Sequence, residues 1–251
     1  MTRNRFSAAA IAAAAVVALV TGSAANAALV ENFDEAGGFF GSTGTAGNLP
    51  SVPVVAGWAV INNSSPQGTR SWFSGSASSL FPPQAGSGFA AVDADSTTNE
   101  NTISNWLITP QMSFSAGDQV SFYTRTFNPV SFPDRLEVRL STNGASTNVG
   151  GTATTVGDFT TTLTTINPNL TQNGYPVAWT QFTVNMPNSG SGRIGFRYFV
   201  TNGGPSGSNS FMIGIDSLNV TPEPMTGVVL LALGGGYAVM SRGRGRQRAR
   251  D

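Results

Sequence analysis

The chain contains no cysteine, no histidine and no lysine. That absence removes Ser-His-Asp and Cys-His nucleophiles, Ser-Lys dyads, Schiff-base lysines and histidine-ligated zinc. What remains is carboxylate chemistry, or a hard cation held by oxygen ligands. Asp93-Ala-Asp95 places two carboxylates two residues apart, on one face if the segment is a strand. Together with Glu31 or Asp34 near the start and Asp216 near the end, they are candidates for a calcium site joining distant segments. In the alternative reading Asp93 and Asp95 cap turns and Asp216 pairs with an arginine. Paired carboxylates for glycoside hydrolysis need a fixed separation across a cleft. Glu31-Asn-Phe-Asp-Glu35 offers no such spacing, so the chain is expected not to be an enzyme.

Aromatic residues are the other chemical resource. Trp58, Trp106 and Trp179 sit in strand-like alternation and are expected in the core. Trp72, preceded by Arg70 and Ser71 in a Gly/Ser-rich loop, is the candidate for an exposed ring on which a sugar stacks. Arg125, Arg135, Arg139 and Arg197 point outward in the alternation. They suit anionic polysaccharide or, as the preferred reading, cross-strand pairs with Glu137 and Asp134.

The elements that must position these residues are strands. Gln119 to Arg125 alternates Val120 and Phe122 against Ser121 and Tyr123. Arg135 to Leu140 sets Leu136, Val138 and Leu140 against Arg135, Glu137 and Arg139. Arg193 to Val200 sets Ile194, Phe196, Tyr198 and Val200 on one side. Such period-2 alternation marks strands buried on one face. Further strands are expected at Trp58 to Asn62, Gly88 to Val92, Trp106 to Thr109, Thr180 to Asn185 and Phe211 to Val220. Asn143-Gly144, Asn173-Gly174 and Asn202-Gly203 are turn signals between them. Gly37 to Pro53 reads as a surface loop, and Asn143 to Asn173 as a long excursion enclosing a weak strand or turn. No amphipathic helix interrupts the pattern. A two-sheet antiparallel sandwich follows, as a single domain from Ala28 to Thr221.

That span holds six basic residues, Arg70, Arg125, Arg135, Arg139, Arg193 and Arg197. Eleven acids oppose them: Glu31, Asp34, Glu35, Asp93, Asp95, Glu100, Asp118, Asp134, Glu137, Asp158 and Asp216. With a net charge of −5 and no basic patch, nucleic acid is not an expected partner. Without disulfides the apolar core alone must carry the fold.

Both ends read as addresses. Arg3 and Arg5, an apolar run from Ala8 to Val20 and the A-x-A site Ala25-Asn26-Ala27 form a secretory signal peptide over residues 1–27, cut by signal peptidase. At the other end Pro222-Glu223-Pro224 precedes an apolar run from Met225 to Met240. Arg242, Arg244, Arg246, Arg248 and Arg250 then supply a cytoplasmic stop. The run is shorter than the ~20 residues that comfortably span a bilayer. These three parts over residues 222–251 resemble the PEP-CTERM sorting signal of Gram-negative envelope proteins. The resemblance implies transient anchoring in the inner membrane, cleavage by an exosortase-type enzyme, and delivery to the cell envelope or extracellular matrix. An ordinary uncut tail anchor is the alternative.

Between the addresses, Glu31-Asn-Phe-Asp34 precedes Gly57-Trp58-Ala-Val-Ile61, Trp72-Phe73, Phe89-Ala-Ala-Val-Asp93, Asn105-Trp-Leu-Ile-Thr-Pro110 and Phe211-Met-Ile-Gly-Ile-Asp216. This order resembles the choice-of-anchor J family, related to cleaved-adhesin and MAM-type jelly rolls. The resemblance implies a jelly-roll surface protein, and calcium, which related jelly rolls often carry. Asp216-Ser217 stands where an Asp-Asp pair is often seen. Jelly-roll glucanases usually present Glu-x-Asp-x-x-Glu, which is missing here. The expected function is a non-catalytic exported cell-surface or exopolysaccharide-associated protein. A carbohydrate-binding or adhesion module is the alternative.

Overall fold

A computed structural model describes residues 28–41, 52–128 and 131–222. The signal peptide with Ala25 and Ala27, part of the Gly37 to Pro53 loop, Glu223, Pro224, the apolar run and the arginines from Arg242 to Arg250 lie outside the described residues. No helix among the described residues is long and apolar enough to cross a membrane.

The strands in chain order are β1 (Leu29–Glu31), β2 (Phe40–Gly41), β3 (Val52–Pro53), β4 (Ala59–Asn62), β5 (Ser65–Gln67), β6 (Phe73–Ser76), β7 (Gly88–Asp93) and β8 (Thr97–Ile108). They continue as β9 (Met112–Phe114), β10 (Gln119–Thr126), β11 (Leu136–Ser141), β12 (Thr161–Ile166), β13 (Thr180–Asn185), β14 (Gly190–Gly203) and β15 (Met212–Thr221). One 3-10 turn, Ala94–Ser96, links β7 to β8. The first sheet has the order β13-β10-β15-β7-β6, and β1 pairs with the far end of β15. The second runs β12-β11-β14-β8-β4, with β5 on β8 and β9 on β14. Every pairing is antiparallel. The protein is an all-β sandwich, as its alternation implies.

The inner faces are the ones the period-2 pattern marks. Val120 and Phe122 of β10, Leu136, Val138 and Leu140 of β11, and Ile194, Phe196, Tyr198 and Val200 of β14 are all buried in one core. Phe122 meets Phe196 edge-on at 5.2 Å, joining the sheets. Each such side chain contributes about 1.5–3 kcal/mol by leaving water. Among the described residues the buried members of this core run from Phe33 to Val220, with Leu29 packed against them.

Each sheet also has a covered outer face. Over the second sheet, the excursion that begins at Asn143 packs Val149 and Phe159 on Trp106 and Ile108. Arg197 therefore lies on the outer face, as its alternation implies, but is buried beneath the excursion. Its guanidinium donates to Glu137 Oε2 at 3.0 Å, Ser104 Oγ at 3.0 Å and the Ala153 carbonyl at 2.5 Å. Glu137 also takes Arg139 of its own strand at 3.2 Å, and the expected cross-strand pairing is present between Glu137 and Arg197. Arg125 and Arg135 instead donate to backbone carbonyls, and Asp134 bonds no arginine.

Over the first sheet, a loop between β6 and β7 lays Phe81 against Phe89 and Trp179. The rings can lie on the sheet because Gly214 is beneath them. A Cβ there would come within 2.8 Å of Trp179 and 2.9 Å of both phenylalanines. This outer face carries the site described next.

Candidate functional site

Phe89, Ala91 and Asp93 alternate outward along β7, while Ala90 and Val92 face the core. Asp93, the last residue of the β7 ladder, caps the 3-10 turn, its Oδ1 accepting from the Asp95 N–H at 3.1 Å. Arg70 is brought alongside by its own backbone. The Gly68 N–H donates to the Ser96 carbonyl at 3.0 Å and the Arg70 N–H to the Asp95 carbonyl at 3.1 Å. Only glycine permits that approach, since a Cβ on Gly68 would stand 2.0 Å from the Asp95 carbonyl oxygen. The Arg70 guanidinium then pairs with Asp93 through one Nη, and lies 3.6 Å from Asp95 Oδ2 through the other. Burial pushes the Asp93 carboxyl up to about 6, although Arg70 pulls it down.

Two aromatic rings flank this pair. Phe73 lies under the Arg70 guanidinium at 5.1 Å. Phe211 is held by both its backbone groups: its carbonyl accepts from Ala94 N–H at 3.0 Å, and its N–H donates to Asp134 at 2.8 Å. Asp134 is fully buried and also accepts from Tyr198 Oη at 2.5 Å and Thr126 Oγ1 at 2.6 Å. It thereby ties the two sheets together directly behind the Phe211 rim. The open pocket between them has a volume of about 360 Å³, lined by Arg70, Asp93 and Asp95 with Phe73, Leu80 and Phe211 among its walls. Leu80 is about half exposed at the mouth.

The five acids expected to share one ion do not converge. Among the described residues no group of three or more acids is placed to hold a metal. Asp93 pairs with Met212 across the ladder, and Asp216 lies four residues further along β15. At ~3.3 Å per residue that is roughly 13 Å. Asp216 is buried under the β6–β7 loop and accepts from the N–H groups of Gln84 at 2.8 Å, Ala85 at 3.3 Å and Ser217 at 2.6 Å. Burial nevertheless pushes it up to about 6. Asp34 accepts from Ser87 N–H at 2.6 Å and Gly88 N–H at 2.8 Å. Asp34 and Asp216 thus staple the loop down, and Asp216 pairs with no arginine. Glu31 accepts from Phe33 N–H at 2.8 Å; burial and the adjacent Glu35 carboxyl push it up to about 7. Glu35 Oε2 is buried without a donor.

Trp72 is also misplaced by the sequence reading. It is fully buried in the core, with Nε1 donating to the Asn105 carbonyl at 3.2 Å, and offers no stacking face. The polar residues before it belong to Arg70's approach to the acids, while the indole turns inward. The partly exposed tryptophan is Trp179, which covers Phe81 and Phe89 and donates to the Pro82 carbonyl at 2.9 Å. Of the sorting motif, only Pro222 is described; it follows directly on β15.

The fold has solved counterparts. The K1 cleaved adhesin domain of Lys-gingipain from Porphyromonas gingivalis W83 superposes with a TM-score of 0.52 at 18% identity, covering 79% of this chain and 99% of that one. The K2 cleaved adhesin domain of Lys-gingipain gives 0.50 at 21%, covering 78% and 99%. These likenesses show a fold shared with those domains, a jelly-roll sandwich of antiparallel sheets. No family model matches the sequence, and no curated protein is similar to it.

Proposed function

We propose that this chain is an exported, non-catalytic adhesion module that binds polysaccharide at the cell surface. The observation that carries the reading is the pocket on the outer face of the first sheet. It combines partly buried aromatic walls and an exposed Leu80 with a fixed arginine–aspartate floor. Flat apolar surface beside a few oriented polar groups is the usual composition of a small-ligand site. The jelly-roll shared with adhesin domains supports a surface role. The absent nucleophile types support a binding role over a catalytic one. A glycan array probed with the exported chain tests it. Binding to at least one surface polysaccharide is expected, and an empty array from folded protein rejects the reading.

Delivery to that surface is assigned to the two addresses. The signal peptide exports the chain, and the tail from Pro222 holds it at the inner membrane until an exosortase-type enzyme cuts it. The ordered Pro-Glu-Pro, apolar run and arginine cluster support this. Deleting residues 222–251 is expected to turn a surface-retained protein into a freely soluble one. Retention of the truncated chain rejects it.

A further inference from the structure

The chemistry of the pocket narrows its ligand. One guanidinium faces two carboxylates there, so the pocket is negative overall. Both Arg70 Nη atoms are directed at those carboxylates. A uronate or sulfate would have to displace Asp93 or Asp95 from Arg70 and sit beside uncompensated negative charge. A protonated amine would lie against the guanidinium. A neutral polyol meets neither penalty. Its hydroxyls both donate and accept. One can donate to Asp95, whose second carboxylate oxygen has no donor among the described residues. Its neighbour can accept from Arg70, whose side chain is about half exposed. The C–H face of the ring would then rest on Phe211 or Phe73.

Size and rigidity agree with that ligand. About 360 Å³ is near the lower end for small-ligand sites, suited to the end of a chain rather than a long stretch of it. The floor is set before a ligand arrives, because Asp93 caps the 3-10 turn and Phe211 is bonded at both backbone groups. A preset site avoids the ordering cost that weakens binding by mobile side chains.

We infer that this pocket takes a terminal neutral sugar of a glycan, with Asp95 and Arg70 bonding adjacent hydroxyls and Phe211 stacking on the ring. The inference rests on the binding-module reading above. Titration calorimetry on the full-length exported chain, in a non-glycosidic detergent, would compare oligosaccharides of neutral hexoses, uronic acids and deacetylated amino sugars. Neutral oligomers are expected to bind best. Asp95→Asn should weaken them roughly tenfold, the size of one charge-assisted hydrogen bond. Phe211→Leu, which keeps an apolar side chain, should also weaken them, with the melting temperature of each variant close to that of the wild type. Preference for the uronic or amino oligomers would overturn the ligand class. Neutral binding indifferent to both substitutions would overturn the pocket. Either result would leave the binding-module reading standing, whereas silence from all three classes with folded protein would remove both.

Discussion

Two groups of acids lie on the outer face of the first sheet, at opposite ends of one stretch of β15. At the Asp216 end the carboxylates are spent on the backbone: Asp216 and Asp34 together accept from five N–H groups, all but one on the β6–β7 loop and the start of β7. At the Met212 end Asp93 and Asp95 face an arginine across an open pocket, and Asp95 is substantially exposed. The same residue type is a staple in one place and, in the proposed function, a recognition group in the other. What separates the roles is the number of fixed donors each oxygen meets. The loop joins them, since its Gln84 and Ala85 are pinned by Asp216 while its Leu80 forms the pocket mouth.

The largest effect that would break this comparison is on stability. Asp216→Ala removes the acceptor of three backbone N–H groups in a buried place. A loss of about 2–4 kcal/mol is expected. For a domain of this size that lowers the melting temperature by roughly 5–15 °C. Asp95→Ala, which removes only a long and exposed ion pair, should cost less than about 1 kcal/mol. Thermal unfolding of both variants measures the contrast. Equal losses would mean that the two ends are not different in kind.

A smaller effect comes from pH. Glu31 is raised from its ordinary 4.5 to about 7, and Asp93 and Asp216 from 3.8 to about 6. In each case burial is the leading cause, so the fold prefers the protonated form. A raised acid contributes stability that is fully present below its unfolded value and lost as pH rises through its folded value. The two aspartates act between about 3.8 and 6, and Glu31 between about 4.5 and 7. The melting temperature should therefore fall by a few degrees from pH 5 to pH 7.5. Glu31→Gln, a permanent mimic of the neutral acid, should flatten the upper part of that fall. Stability that climbs toward pH 7.5 would contradict the assignment.

The strand faces were legible because alternation is local: β10, β11 and β14 can be read residue by residue from Val120, Leu136 and Ile194 onward. The first two thirds of β8, Thr97 to Ser104, was not, since Thr-Thr-Asn-Glu-Asn lacks an apolar beat and is held by pairing with β5 and β14. Site residues were legible as types but not as partners. Asp93 and Asp95 stood out by spacing, yet nothing local announces that Gly68 lets Arg70 reach them. The wrong grouping of Asp93 with Asp216 has the same origin, because their separation is set by the β7–β15 register. Trp72 was misjudged by its polar neighbours, a composition cue that does not say where the indole points. Asp134 was expected to pair with an arginine, but its three donors come from Thr126, Tyr198 and Phe211, up to 77 residues away, where no local pattern points.

The smallest expected effect concerns calcium, and it sharpens the contrast between the two ends. Glu31 and Glu35 form a carboxyl pair in which one oxygen, Glu35 Oε2, is buried without a donor. Burial and the Glu35 carboxyl keep a proton on Glu31 up to about pH 7, above which Glu31 ionises beside Glu35. An oxygen-seeking cation can then replace the proton. With two carboxylates, the affinity should fall in the weak range of calcium sites, near 10⁻⁴–10⁻³ M. Calcium at tenfold over its dissociation constant would add about 1.4 kcal/mol, or roughly 3–6 °C of melting temperature. At pH 8 this shift should appear in wild type and in Asp93→Asn, and should vanish in Glu31→Gln. No shift in wild type would leave the pair as a proton-sharing couple only. A shift abolished by Asp93→Asn would mean that the pocket acids bind the ion, and the division between staple and recognition group would fail.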